Sequence, residues 1–362
     1  MIIFGSPRRY LQGPGAIAQL GEEVAKLGRS ALLLADDHVL GLIGESVGAG
    51  CRAAGVGFTA GRFGGEITRA EIDRLEAAAR DVRPDVVIAA GGGKAIDAGK
   101  SLGGRLGVRL VTVPTIASND SPTSHVVVLY DEKHKLVGVE KLPANPDLVL
   151  VDTAIIAKAP ARLLSAGIGD AVVKQFEVEQ CFRKGGTNMF GGRAPLAALA
   201  LARACYATIR ADSAAALAAV RRGEPDEALE RVVEASVLMS GLAFESGGLS
   251  ICHAMTRGLS AVKGPAEALH GLQVAYALLV QVELEGRASS FVDDMRRFFR
   301  TAGLPVSLAE LGFAGGEAEI ALIAELTAQA PHTKHFEKPL APAEIAAAIE
   351  AVEERARTKE TA

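Results

Sequence analysis

Two histidines of this chain sit on otherwise apolar segments, His253 in GGLSICHAMTRG and His270 in AEALHGLQVAY, and a carboxylate, Asp170, interrupts the apolar run GIGDAVV. Imidazole nitrogens and a carboxylate oxygen suit a catalytic metal, and three protein ligands leave one coordination position for substrate. A single histidine so placed is more often a hydrogen-bonded core residue; the second histidine and the acid are what point to a metal. Sequence distance cannot bring them together, since 83 residues separate Asp170 from His253. The remaining histidines, His38, His125, His134, His332 and His335, have no comparable setting and read mostly as surface residues.

A second constellation is VIAAGGGKAIDAGKS, residues 87–101. It is not the loop of ATP-hydrolysing proteins, because five residues instead of four separate Gly93 from the Gly99-Lys100-Ser101 run. Nor is it the G-x-G-x-x-G dinucleotide fingerprint, whose third glycine falls on Ile96. Three glycines between an apolar strand and a helix start still let a phosphate approach the backbone and the amides of the helix N-terminus. The plainer reading is a tight strand-to-helix turn. After the next strand comes PTIASNDSPTS, in which seven of eleven side chains are hydroxyl, amide or carboxylate groups. Two polar strand ends together suggest a ligand crevice, because ligands of open α/β sheets bind at the carboxyl ends of strands.

These residues need a scaffold, and the hydrophobic pattern supplies one. Ser30 to Ala35, Asp85 to Ala90 and Val108 to Val113 are short continuous apolar runs, and Glu71 to Arg80 has helical periodicity. Such strands separated by amphipathic helices imply a parallel sheet covered on both faces. Beyond Asp152 the segments 194–210, 214–221, 225–244, 266–285 and 341–357 are Ala/Leu/Glu-rich with helical spacing. The expectation is an α/β N-terminal domain over residues 1–160 and an all-α C-terminal domain over 161–362, with Pro160 at the boundary.

Bulk properties narrow the partners. A net charge of -4 without any dense basic block argues against nucleic acid. No apolar run approaches the ~20 residues of a membrane span, and the start MIIFGSPRRYLQG lacks the order of a secretory signal. A cytoplasmic protein is expected. Four scattered cysteines without a CxxC pair read as buried thiols.

In order and spacing, FGGEITRAEIDRL, AAGGGKAIDAGK, PTIASNDSPTS, NPDLVLVD, GIGDAV, FESGGLSICHA and LHGLQVA resemble the glycerol dehydrogenase branch of the iron-containing (group III) alcohol dehydrogenases, related in architecture to dehydroquinate synthase. The resemblance covers nearly the whole chain. It implies a dinucleotide-binding α/β domain followed by a helical metal-binding domain, and NAD-dependent oxidation of a vicinal diol, glycerol to dihydroxyacetone first among them. It implies Asp170, His253 and His270 as ligands of a divalent metal, zinc in the glycerol branch with iron as the alternative, acting as a Lewis acid on the reacting hydroxyl. Gly92, Gly93 and Lys94 correspond to the loop under the NAD pyrophosphate, with Asp97 starting its helix. Asp36 matches the carboxylate that meets the adenosine ribose. Thr115, Ser118, Ser124, Val126 and Tyr130 match further cofactor contacts, and Asp120 the residue that reaches a substrate hydroxyl. Homo-oligomers from dimer to octamer are usual in the family.

The chain departs from that branch at Thr256 and Arg257, where His-Asn is common, and at Leu272 and Gln273, where Glu-Lys follows the glycine. Arg257, four residues beyond His253, either grips an anionic substrate group, as a guanidinium can with two hydrogen bonds, or faces outward. The first case shifts preference to hydroxy acids or phosphorylated polyols. A dehydroquinate synthase-like lyase stays open but disfavoured, since its highly anionic substrate needs more basic residues than Lys174, Arg257 and Lys263.

Overall fold

The computed structural model describes residues 1–132 and 136–360, so His134 lies outside the described residues. Contacts divide the chain into two compact units, one of residues 5–160 with 218–241, the other of residues 1–4, 161–217 and 242 onward. One break between the units falls at 160/161. Residues 218–241, expected in the helical domain, belong instead with the sheet.

The sheet unit contains strands β1 (Tyr10–Gly13), β2 (Ser30–Ala35), β3 (Gly57–Arg62), β4 (Val86–Gly91), β5 (Arg109–Pro114) and β8 (Leu148–Asp152), all parallel in the order β1-β8-β5-β4-β2-β3. An antiparallel hairpin, β6 (Val126–Tyr130) and β7 (Leu136–Lys141), stands apart from it. All six residues of β4 are buried, as a central strand covered on both faces requires. Alternation sorts the side chains. Ala31, Leu33, Ile88 and Ala90 pack with Leu20, Val39, Ile43 and Val47 of helices α1 (Leu20–Ala25) and α2 (Asp37–Ala53). Leu32, Leu34, Val87 and Ala89 pack with Ile72, Leu75, Ile96 and Leu102 of α3 (Arg69–Val82) and α4 (Gly93–Leu106). Edge strand β3, largely exposed, has no continuous apolar run to announce it.

The Gly99-Lys100-Ser101 near-miss lies inside α4, and each residue has a packing reason. A Cβ on Gly99 would lie 2.2 Å from the Ala89 Cβ, so the glycine sets how closely α4 approaches β4. Lys100 is fully buried, with Nζ 2.8 Å from Asp97 Oδ1 and donating to Ser121 O at 2.9 Å, while Ser101 Oγ donates to Glu140 at 3.1 Å.

Residues 218–241 are tied to the sheet unit by polar contacts. Gln12 Nε2 donates to the Glu230 carboxylate at 2.7 Å and its carbonyl at 2.8 Å. After α5 (Thr153–Ile156), the other unit begins with α6 (Ala161–Val172), α7 (Lys174–Lys184) and most of the 27-residue α8 (Leu196–Arg222), which replaces the two helices expected there; α9 (Glu227–Glu234) falls within the residues that belong with the sheet, and α10 (Ser240–Gly247) leads back into the helical unit. A single π-helical turn, Ala235–Met239, separates α9 from α10. The helical unit continues with α11 (Ile251–Leu259), α12 (His270–Leu284), α13 (Ser289–Ala302), α14 (Glu317–Ala328) and α15 (Pro342–Glu360). Among the described residues no single helix is long and apolar enough to cross a membrane. All four cysteines are buried thiols. His125 and His335 are buried too, contrary to their reading as surface residues; His38 is exposed and His332 half-buried.

Candidate metal centre and nucleotide loop

In the helical unit, α6 carries Asp170, α11 carries His253 near its start, and His270 is the first residue of α12. One ligand atom from each lies within 4.8 Å of the others, a set that among the described residues is able to hold a metal ion. The close approach of α6 and α12 comes from two glycines beside the ligands. A Cβ on Gly271 would lie 1.8 Å from Ala166 O, and one on Gly169 would lie 2.4 Å from Gly271 O.

Two further residues belong to this site: Lys174, which the sequence offers only as one of the few bases near the ligands, and Glu177, which the sequence reading missed. With Asp170 they repeat at i, i+4 and i+7, the spacing of one helical face, and that signal was available. Glu177, fully buried, accepts from the backbone N–H groups of Ser250 and His253 at 2.9 Å each, capping the start of α11. Its other oxygen lies 2.5 Å from His253 Nδ1, so the imidazole is oriented with Nε2 toward Asp170 Oδ1, 3.4 Å away. Such an outer carboxylate fixes the ring and its tautomer for a metal at the other nitrogen. Lys174 Nζ, also fully buried, donates to Asp170 Oδ1 at 2.6 Å and stands 3.2 Å from His253 Nε2.

The electrostatics follow from this crowding. Burial alone would raise the Asp170 carboxyl, but Lys174 and the two histidines hold it well below the usual carboxylate range. Burial would lower His253, yet Glu177 and Asp170 together outweigh it and the imidazole is pushed up to about 9. Ring desolvation, joined by the charges of His253 and Lys174, pushes His270 down. A cation taking the His253 Nε2 lone pair therefore displaces a proton there. The donor set of two imidazoles and a carboxylate, held by Glu177, fits a zinc-type ion with an open position.

In the sheet unit the chain order reverses at β2 and β4: β3 lies outward of β2 on one side, while β5 and β8 follow β4 on the other. Ligands of open parallel sheets bind at such a switch point. Asp36 ends β2 and the glycine run ends β4. Asp36 Oδ1 accepts from Val39 N at 2.9 Å, capping α2. Gly91 has φ +135°, and a Cβ on Gly93 would lie 2.4 Å from Asn119 Nδ2, so the second polar loop packs directly over the first. Gly92 precedes α4 and Gly93 opens it, placing free helix-start amides at the switch point. Replacing Gly93 with alanine is expected to displace Asn119 and weaken NAD binding about tenfold with little change in melting temperature; cofactor titration by NADH fluorescence checks it.

The other expected cofactor residues cluster around this loop. Lys94 pairs with Glu66 at 2.6 Å, and its Nζ lies 5.5 Å from the centre of the Tyr130 ring. Burial, with Asp97 and Glu66 nearby, pushes the Tyr130 hydroxyl up to about 12. Thr115 N donates to Gly91 O at 3.1 Å, and Ser118 and Val126 are half-buried. Asp97 does not start the helix: α4 begins four residues earlier, and Asp97 is a buried residue of its second turn. Its carboxylate accepts from Val128 N at 2.9 Å and from Ser121 Oγ, while Ser124 Oγ lies 3.3 Å from Lys100 Nζ. Both therefore brace the loops from beneath.

Asp120 is buried at the far end of the second loop, where Ser240 Oγ donates to its Oδ2 at 2.6 Å. Thr123 Oγ1 donates to Val237 O, a carbonyl of the π turn, at 3.0 Å. A π turn leaves carbonyls without their usual helical donors and is frequent at functional sites. The fold's departure from regular helix thus holds the Asp120 loop. Arg257 is exposed, with Nη1 3.4 Å from Gln329 O.

Residues 7–153 match the family model described as iron-containing alcohol dehydrogenase. A glycerol dehydrogenase from Citrobacter freundii is 39% identical over 334 residues, which cover 92% of each chain. A glycolaldehyde reductase from Halobacterium salinarum is 38% identical, again over 92% of each. The crystal structure of a glycerol dehydrogenase from Schizosaccharomyces pombe superposes with a TM-score of 0.95 at 35% identity, covering 99% of this chain and 92% of that one. With the parallel sheet, the glycine loop at its switch point and the Asp-His-His cluster in place, the chain belongs to the iron-containing alcohol dehydrogenase family.

Proposed function

We propose that the protein is an NAD-dependent dehydrogenase of vicinal diols that oxidises glycerol to dihydroxyacetone, with zinc held by Asp170, His253 and His270. The observation that carries this is the convergence of those three ligand atoms within 4.8 Å of one another. Two imidazoles and one carboxylate suit zinc better than a hard, oxygen-seeking cation. When bound, the metal supplies a Lewis acid that favours the alkoxide form of the reacting hydroxyl. The chain's own residues supply orientation and charge. Glu177 holds the His253 ring through Nδ1 and leaves Nε2 for coordination. Asp120, carried on its braced loop, accepts a hydrogen bond from a substrate hydroxyl.

On the cofactor side, the amides of Gly92 and Gly93 at the start of α4 receive the pyrophosphate, with Lys94 beside them. Asp36 accepts from the adenosine ribose and repels a 2′-phosphate, which selects NAD over NADP. Thr115, Ser118, Val126 and Tyr130 line the rest of the cofactor, and Asp97 and Ser124 support that wall. The protein acts as a cytoplasmic homo-oligomer.

A panel of glycerol, propane-1,2-diol, butane-2,3-diol, glycolaldehyde, hydroxy acids and polyol phosphates, followed by NADH absorbance with and without chelator, tests the proposal. Glycerol or another vicinal diol is expected to give the highest kcat/KM, and chelation to abolish turnover until Zn2+ is restored. Full activity after complete metal removal overturns the metal assignment, and preference for hydroxy acids overturns the diol assignment.

A further inference from the structure

The Lys174 ammonium lies between the facing atoms of two of the three candidate ligands. It donates to Asp170 Oδ1 at 2.6 Å and stands 3.2 Å from His253 Nε2. Its side chain is fully buried, and Nζ lies 5.4 Å from the centre of the Phe244 ring. A divalent cation held by the triad needs the same carboxylate oxygen and the same imidazole nitrogen. We propose, on the reading that the triad is a metal centre, that Lys174 is an internal competitor for the metal and sets its affinity.

Three physical points support this. An ammonium and a divalent ion a few ångströms apart repel strongly, and burial keeps solvent from screening them. Asp170 has little exposed surface, so its charge depends on a cation drawn from within the protein. Finally, a lysine is suited to exchange: its four-carbon stem is flexible, and the ammonium is a compact point charge with no fixed donor geometry. Loading the site then amounts to replacing one cation by another at Asp170, with Lys174 withdrawing from His253 Nε2. In its absence Asp170 would be a better metal ligand and a worse neighbour for the rest of the core.

Lys174→Met, which keeps the length of the side chain, and Lys174→Gln, which keeps N–H donors without charge, separate the possibilities. The purified full-length proteins are stripped with chelator, and Zn2+ affinity is measured by competition with a chromophoric chelator. Thermal unfolding is followed with and without Zn2+. Both variants are expected to bind Zn2+ at least about tenfold more tightly than the wild type, to melt lower than it when stripped, and to gain more in melting temperature on adding Zn2+. Equal affinity in all three overturns the proposal and leaves the triad standing as a metal centre. Zn2+ binding by none of the three overturns the metal centre and the proposal with it.

Discussion

Gly271→Ala is expected to cost this protein its metal site before it costs the fold. The added Cβ would lie 1.8 Å from Ala166 O and 2.6 Å from Ala166 C, atoms of the α6 backbone that cannot rotate aside. Helix α12 must therefore back away from α6 by about an ångström, and overpacking of this kind typically costs about 1–3 kcal/mol. Asp170 follows Gly169 and His270 precedes Gly271, so the displacement acts directly on the ligand spacing. Coordination distances tolerate errors of only about 0.2 Å. Zn2+ affinity is expected to fall by at least about tenfold, with melting several degrees lower. Gly44→Ala in α2 is the control: nothing lies within 4 Å of its Cβ position, and alanine favours helix by up to about 1 kcal/mol, so neither affinity nor melting should fall. Wild-type Zn2+ affinity in Gly271→Ala would mean that the glycine contact does not set the ligand geometry.

Glu177→Gln is expected to lower Zn2+ affinity by about 10–100-fold with almost no change in shape. In the wild type, one carboxylate oxygen receives the Ser250 and His253 backbone N–H groups and the other faces His253 Nδ1. A glutamine has a single oxygen. If that oxygen stays on the two backbone donors, its NH2 group faces Nδ1 and forces that nitrogen to accept. The imidazole proton then moves to Nε2, the atom the metal needs. If instead the amide flips, the start of α11 loses its acceptor, and a missing cap costs about 0.5–2 kcal/mol. The two outcomes differ in measurement, since the first weakens Zn2+ binding at unchanged melting temperature and the second lowers both. Unchanged affinity and unchanged melting in Glu177→Gln would remove the carboxylate from any role in positioning His253.

The site was legible in the sequence wherever a residue type was out of place. Asp170, His253 and His270 stand out because apolar runs seldom carry them, and the glycine run because three consecutive glycines between a strand and a helix need a reason. Lys174 and Glu177 follow Asp170 at helical spacing, although they open α7 and Asp170 lies on α6, but that spacing does not announce which helix meets them. The family resemblance puts Asp97 at the start of the helix after the glycine run. The helix in fact begins at Gly93, and the burial of Asp97 depends on Val128 and Ser121, contacts that belong to a different loop. The central strands were readable as continuous apolar runs, whereas β3 is too exposed, and β1 too short, to leave that signature. His125 and His335 were misread because a histidine's neighbours in sequence say little about what the fold lays over it.

Residues 218–241 belong with the sheet although more than half the chain precedes them. During synthesis the sheet's first contiguous stretch ends at Pro160, and the last residue it needs emerges roughly 80 residues later. At about 5–20 residues per second, that is an interval of roughly 4–16 s. Throughout it the nascent Asp120 loop lacks the Ser240 hydroxyl, Thr123 lacks the Val237 carbonyl and Gln12 lacks Glu230. The sheet half is thus begun first on the ribosome but finished only after about a third of the helical half has been made.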